Sequence, residues 1–349
     1  MNYTKITYPT RFATVNGIGV TAPSSGLGND TFIKRFQCVA AQLAVQGYRI
    51  IEGTCLRENI KHVSASACNR AKDLLNLWQN DKVGAIIPPW GGEILIEMLE
   101  LIDFEEIQNS PAKWILGYSD TSTLLLALTL TTGIATAHGI NFMDMIDSQN
   151  DPLSKQVLQY LKTSPGESFV QQSSKKFQKE FINFSDHLKT PYNLTEKTEW
   201  KSLKGESTLQ LSGRLIGGCI DVITHLTGTP FGNVDYFKKT FSADGTILYL
   251  ENCQLSPCEL TRCLIQLKLA GWLKNLNGLL IGRSAAAKVE DKNALSYLEV
   301  LQNVLSGLDF PVIYDADIGH MPPNMTLING AFAEVDFNNG TAVLKQSLI

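Results

Sequence analysis

Ser119 stands in Trp114-Ile115-Leu116-Gly117-Tyr118-Ser119-Asp120-Thr121-Ser122-Thr123, where an apolar strand pattern gives way to the apolar run 124–130. A serine on such a hinge has its hydroxyl thrust out of the turn while backbone N–H groups at the helix start converge beside it, as a nucleophile requires. The motif is not G-x-S-x-G, and Ser, Asp and Thr are ordinary helix N-caps, so capping and catalysis both fit these residues. A serine hydroxyl also needs a general base, usually a histidine held by a third polar group. The chain has 5 histidines. His62 and His187 lie in polar segments, His225 falls in the helical run 219–226 and reads as structural, and His138, in Ala137-His138-Gly139, could line a cleft. His320 is the best candidate, because Gly319-His320-Met321-Pro322-Pro323 forms a loop soon after a strand, where rigid scaffolds display functional groups. A plain turn histidine fits the same residues. Glu251 closes an apolar strand pattern and could orient the imidazole, since an acid near the core needs a partner to offset its desolvation; a solvated strand-end glutamate is the plainer reading. Negative charge developing on a carbonyl oxygen calls for preorganised donors, which the backbone at Gly91-Gly92 and the N–H of Asp120 could supply. An ordinary turn also explains the two glycines.

Those residues need elements to hold them. In the first half, strand patterns at 17–22, 48–51, 83–87 and 113–118 alternate with helical patterns at 30–46, from a Ser64 cap through Trp78, and after Glu93. Repeated βα units with near-continuous apolar strands imply an α/β fold with a parallel, doubly wound sheet, which binds ligands beyond the carboxyl ends of its strands. Both Gly91-Gly92 and Ser119 sit at such ends. From 150 to 204 the pattern weakens into polar residues, so a connection or flap is expected at 151–204 between a first domain at 1–150 and a second at 205–349. In the second, strands are expected at 246–251, 278–281 and 312–314, a helix near 259–270, and a hairpin over 329–344 turning at Asn338-Asn339-Gly340. The second domain therefore reads as mixed and rich in strands.

The 349 residues exceed the comfortable size of one hydrophobic core, which favours two domains. A net charge of −4 without any Lys/Arg-rich stripe excludes a nucleic-acid surface. Residues 1–13 lack the apolar stretch of roughly 7–15 residues that secretion needs. No run of about 18 apolar residues could span a bilayer, so a cytoplasmic protein with no membrane partner is expected. The 7 cysteines fit reduced thiols. Cys253, Cys258 and Cys263 recur at a spacing that matches neither C-x2-C zinc ligation nor one helical face, so no metal site is expected there. The loop from Pro23 to Gly28 matches neither glycine pattern for nucleotide phosphates, so no nucleotide cofactor is expected.

Taken in order, Ala22-Pro23-Ser24-Ser25, Ser64-Ala65-Ser66, Arg70-Ala71, Asp73-Leu74, Gly91-Gly92, Gly117-Tyr118-Ser119-Asp120, His138-Gly139, the segment from Gly213-Arg214 to Gly217-Gly218, Leu250-Glu251 and Gly319-His320 resemble the LD-carboxypeptidase family of serine peptidases. That family includes the microcin C self-immunity peptidases. The resemblance implies a Rossmann-like first domain, a β-rich mixed second domain and an active site in the cleft between them. It implies Ser119 as nucleophile, His320 as base and then acid, Glu251 as the orienting acid, and the N–H groups of Gly92 and Asp120 as the oxyanion hole. It implies no metal or organic cofactor, a small peptide-like substrate, and a homodimer. Muropeptide-cleaving members usually carry Arg-Gly-Gly-Tyr-Gly where this chain has Trp90-Gly91-Gly92-Glu93-Ile94, and the long 150–204 segment looks more like the immunity-type branch. Trp90 or Trp200 could stack a base or ring, although packing is the plainer reading of both; Gly91 and His138 are further candidate substrate contacts. The expected activity is hydrolysis of an amide beside the terminal group of a murein tetrapeptide or a microcin-C-like aminoacyl-nucleotide. A non-catalytic two-domain peptide or nucleotide binder is the rival reading.

Overall fold

The computed structural model describes residues 3–146, 151–181 and 187–349. The expected boundary at 150 lies outside the described residues. Strands β1 (Gly17–Val20), β2 (Arg49–Glu52), β3 (Ala85–Ile86), β4 (Trp114–Gly117) and β5 (Thr136–His138) form a parallel sheet in the order β5-β4-β3-β1-β2. The order reverses between β1 and β3, the crevice where doubly wound sheets bind ligands. Helices α1 (Asp30–Val45), α2 (Ala67–Gln79), α3 (Phe104–Asn109) and α4 (Thr121–Thr132) connect these strands. Asn29 Oδ1 accepts the Phe32 N–H and Ser66 Oγ accepts the Asn69 N–H, so side-chain caps start α1 and α2. Ser66, not the expected Ser64, caps α2, because the buried Ser64 hydroxyl donates instead to Ala22 O and ties down the loop after β1.

The mixed second sheet runs β6-β16-β15-β10-β11-β12-β13-β9. Its strands are β6 (Ser168–Gln172), β9 (Lys201–Ser202), β10 (Thr208–Cys219), β11 (Thr246–Glu251), β12 (Gly278–Gly282), β13 (Val312–Ala316), β15 (Phe332–Asn338) and β16 (Thr341–Ser347). The four central strands β10 to β13 are parallel, and antiparallel strands border them. The segment expected as a linker or flap thus gives a strand to each edge of this sheet. Its remaining strands, β7 (Lys176–Gln178) and β8 (Leu194–Lys197), form a separate antiparallel ribbon.

Two features lock the halves together. Strand β14 (Leu327–Asn329), from near the chain's end, pairs antiparallel with β5 and so completes the first sheet. Asn329 on β14 accepts from Gly217 N and Tyr249 Oη of the second sheet while its amide donates to Thr136 Oγ1. Helix α4 is the other tie. Leu124, Leu125, Leu126, Leu128 and Leu130 are all fully buried, so no solvent-facing stripe remains, as befits a helix covered on every side. Each such leucine contributes about 1.5–3 kcal/mol through burial. The helix whose start carries Ser119 is therefore among the most rigidly packed elements of the chain.

Candidate active site

Ser119 leaves β4 with φ of +62°, in the left-handed region that non-glycine residues avoid. Holding it there costs about 1–3 kcal/mol, a strain typical of functional turns. Its hydroxyl does not cap α4. His320 Nε2 stands 3.0 Å from Ser119 Oγ, and His320 Nδ1 stands 2.9 Å from Glu251 Oε2. Glu251 ends β11 with its side chain fully buried, whereas the His320 side chain keeps 19% of its exposure. An ionised carboxylate can only accept, so Nδ1 carries the proton and Nε2 is left to accept from the serine. Burial alone pushes Glu251 up, but the His320 charge and hydrogen bond outweigh it and hold the carboxyl below its usual range. Burial likewise presses His320 down, and the facing Glu251 charge reverses this, raising it well above an ordinary imidazole.

The loop bearing His320 is anchored from beneath. Buried Asp317 pairs with Arg283 Nη1 at 2.9 Å and accepts from Ser174 N, Ser174 Oγ and Trp200 Nε1. Arg283 also donates to the carbonyls of Met321 and Pro323, clamping the loop on both sides of the imidazole. Gly319, at φ of +99°, is required here because a Cβ would fall on the Glu251 carboxylate.

On the first domain, Gly91 lies against the serine. A Cβ there would stand 2.6 Å from Ser119 Cβ, 2.8 Å from its Oγ and 2.9 Å from Asp120 N. The Asp120 carboxylate accepts from Ser24 Oγ at 2.6 Å and Leu95 N at 2.9 Å, fastening the segment behind Gly91-Gly92 to the start of α4. Arg70, fully buried, donates to Pro23 O and Glu97 Oε2 and braces the same two loops. Gly91→Ala is expected to lower kcat by about 100-fold or more with the fold retained, as steady-state kinetics beside a circular dichroism spectrum would check. Wild-type kcat in that variant would mean the glycine merely turns the chain.

Among the expected substrate contacts, Trp200 and His138 are enclosed in the core and Trp90 is half-buried. Trp200 is 1% exposed within the second-domain core, and its indole N–H is spent on Asp317, so its ring cannot stack a ligand. Trp200→Phe should cost about 1–3 kcal/mol in urea unfolding, through loss of one hydrogen bond to a buried carboxylate, and leave KM unchanged; the converse result would restore a stacking role. His138 does not line an open cleft. It is fully buried, with its ring 6.4 Å from that of Tyr118 and 5.4 Å from that of Tyr249, and burial lowers its pKa to about 4. Trp90 is half-buried, edge-on to Phe32 at 4.4 Å, with its N–H donated to Ser25 O, and part of its surface stays open. His62, His187 and His225 are exposed.

Other residues enter that the sequence reading did not single out. The Tyr118 ring meets His320 edge-on at 4.9 Å. Asp144, raised to about 6 by burial, lies with Arg35 and Tyr192. Arg35 Nη1 donates to the carbonyls of Leu188 and Thr190, holding part of the expected flap against α1. Cys219 ends β10 in register with Glu251. Position offers one signal: Tyr118 immediately precedes a strand-end serine.

Residues 18–139 match the model of the LD-carboxypeptidase N-terminal domain, and residues 212–335 match that of the LD-carboxypeptidase C-terminal domain. The chain belongs to the LD-carboxypeptidase family. Among the chain's relatives, a Bacillus subtilis (strain 168) protein named "Probable murein peptide carboxypeptidase" is 26% identical over 94% of this chain and 91% of its own. The Escherichia coli microcin C7 self-immunity protein MccF is 23% identical over 93% and 91%. A solved structure of MccF in complex with aspartyl sulfamoyl adenosine covers 99% of both chains with a TM-score of 0.80 at 23% identity. The two-domain α/β fold expected for an LD-carboxypeptidase is thus the fold observed. Among the described residues, no helix is long and apolar enough to cross a membrane.

Proposed function

We propose that this LD-carboxypeptidase works through a Ser119-His320-Glu251 triad on small peptide-like substrates. The observation that carries this reading is the unbroken hydrogen-bonded row from Glu251 through His320 to Ser119. Ser119 Oγ attacks the scissile carbonyl carbon as its proton passes to His320 Nε2, and Glu251 steadies the imidazolium that forms. The oxyanion is received by the N–H groups of Gly92 and Asp120. When the intermediate collapses, the C–N bond breaks and His320 returns the proton to the leaving amine. Water then attacks the acyl-enzyme with His320 again as base, freeing the carboxylic acid and restoring Ser119.

A cavity of about 640 Å³ opens beside the His320 loop, bounded by Phe177, Lys179, Lys197, Tyr297, Tyr314 and Met321. None of Ser119, His320, Glu251, Gly91 or Asp120 lines it, so the reacting bond does not sit there. Incubating the protein with a murein tetrapeptide and with an aminoacyl sulfamoyl nucleoside, followed by mass spectrometry, identifies the substrate class. Labelling with a fluorophosphonate separates enzyme from binder: an adduct on Ser119 is expected, and none at saturating probe favours the non-catalytic reading. The same proposal takes the enzyme as a cytoplasmic homodimer, and a monomer in sedimentation analysis would remove the dimer from it.

Because only neutral His320 can accept the serine proton, its raised pKa places the acid limb of kcat/KM on the alkaline side of 6.5. Activity should climb with pH through that limb. A limb below it would contradict the charge coupling between His320 and Glu251.

A further inference from the structure

We infer that Cys219, Glu251 and His320 also form a binding site for a soft divalent cation of the zinc class, and that filling it switches the peptidase off. The thiol, a carboxylate oxygen and a ring nitrogen all lie within 4.8 Å of one another. Tetrahedral zinc, with bonds of about 2.0–2.3 Å, sets its ligand atoms roughly 3.3–3.8 Å apart. Side-chain adjustments of about an ångström therefore close the site. Glu251 Oε1 is buried without a nitrogen or oxygen partner among the described residues, and the Cys219 thiol hydrogen-bonds the same carboxylate while also reaching Asp221 Oδ2 at 3.5 Å. Register fixes the thiol beside it, since Cys219 pairs with Glu251 across β10 and β11, and the Cys219 N–H donates to Ser122 Oγ. Cys253 lies near His320 but outside this set of mutually close ligand atoms, so Cys219 is the single thiolate of the site and the remaining coordination position falls to water. A sulfur, nitrogen and oxygen donor set selects zinc or cadmium over magnesium and calcium. The partly open face of His320 gives the ion its entry.

Binding has a direct chemical consequence. The cation displaces the Cys219 thiol proton to solvent and takes the lone pair at His320 Nδ1, so the ring proton moves to Nε2. That nitrogen then faces Ser119 as a donor and cannot accept the hydroxyl proton. The ion is an inhibitor here and not a cofactor. The inhibitory half rests on His320 being the catalytic base, while the binding half stands independently.

The test therefore reads binding without turnover. Full-length protein carrying Ser119→Ala is titrated with cadmium, and thiolate-to-metal charge-transfer absorption saturating at one equivalent is expected. Adding Cys219→Ser should abolish that band and weaken zinc, measured by chelator competition, by at least about 100-fold, since even supporting residues of metal sites carry 10- to 100-fold. Cys258→Ser, at an exposed thiol, should keep both. Should the Cys219 variant not fold, His320→Gln replaces it and is expected to weaken zinc by a similar factor. In the parent enzyme, zinc should inhibit hydrolysis and a chelator restore it. A band that survives Cys219→Ser, zinc affinity unchanged in the folded variants, or no band at all overturns the site. Binding without inhibition overturns the switch.

Discussion

Ser119→Ala is expected to lower kcat by about a million-fold, leaving a residual of about 1,000- to 10,000-fold over water from the oxyanion donors and substrate positioning. The size of the loss follows from the geometry: the hydroxyl is the atom in line with His320, and the fold offers no second oxygen to the same nitrogen among the hydrogen bonds observed. Stability gives an independent check, because the residue sits at φ of +62°. Alanine keeps the backbone strain, whereas Ser119→Gly relieves it, so glycine should be as inactive as alanine yet more stable than it by about 1 kcal/mol. Denaturant unfolding of the two variants reads that difference. Turnover within tenfold of the parent in either variant would move the nucleophile to another residue.

Glu251→Gln is expected to reduce kcat by about 10,000-fold while leaving the protein folded, because glutamine keeps the volume but can present its amide to Nδ1 in place of an acceptor. The imidazole then favours the tautomer whose Nε2 bears the proton, and that nitrogen no longer takes the proton of Ser119. The pH profile of the residual activity should move as well. Burial alone presses His320 down, and the Glu251 charge is the leading influence that holds it up. Removing the charge lets the pKa fall, so the acid limb shifts to lower pH even as the plateau drops. A limb that stays in place would show that Glu251 does not set the protonation of His320.

Much of this site was legible along the chain because its parts lie where local patterns end. Glu251 closes a run whose strand, Thr246–Glu251, has the expected bounds, and Ser119 marks the expected switch from strand to helix. What escaped was pairing between segments far apart in sequence. Ser168–Gln172 alternates exposed and buried residues, but five polar-rich residues also read as loop until a partner strand is known. Lys201–Ser202 is too short for any period. Trp200 stayed open between two readings, packing being the plainer, because a tryptophan beside polar residues fits a binding face as well as a core. Only the buried Asp317, contributed from far along the chain, decides between them. Cys219 drew no notice because its chemistry comes from strand register, which spacing along the chain does not carry.

Strand β14 gives the molecule an unusual order of assembly. The sheet that positions Ser119 is finished by Leu327–Asn329, and Tyr8 donates to the main-chain oxygens of Gly330 and Ile349, 322 and 341 residues away. During synthesis the serine's own half must therefore wait until residue 329 has emerged before its edge is covered. Contacts of such long sequence separation slow folding, and an isolated fragment 1–146 should remain aggregation-prone with the outer edge of β5 uncovered. A nascent or truncated peptidase that stops short of His320 and Leu327–Asn329 thus has neither its base nor the strand that covers β5, so hydrolytic competence cannot precede their synthesis.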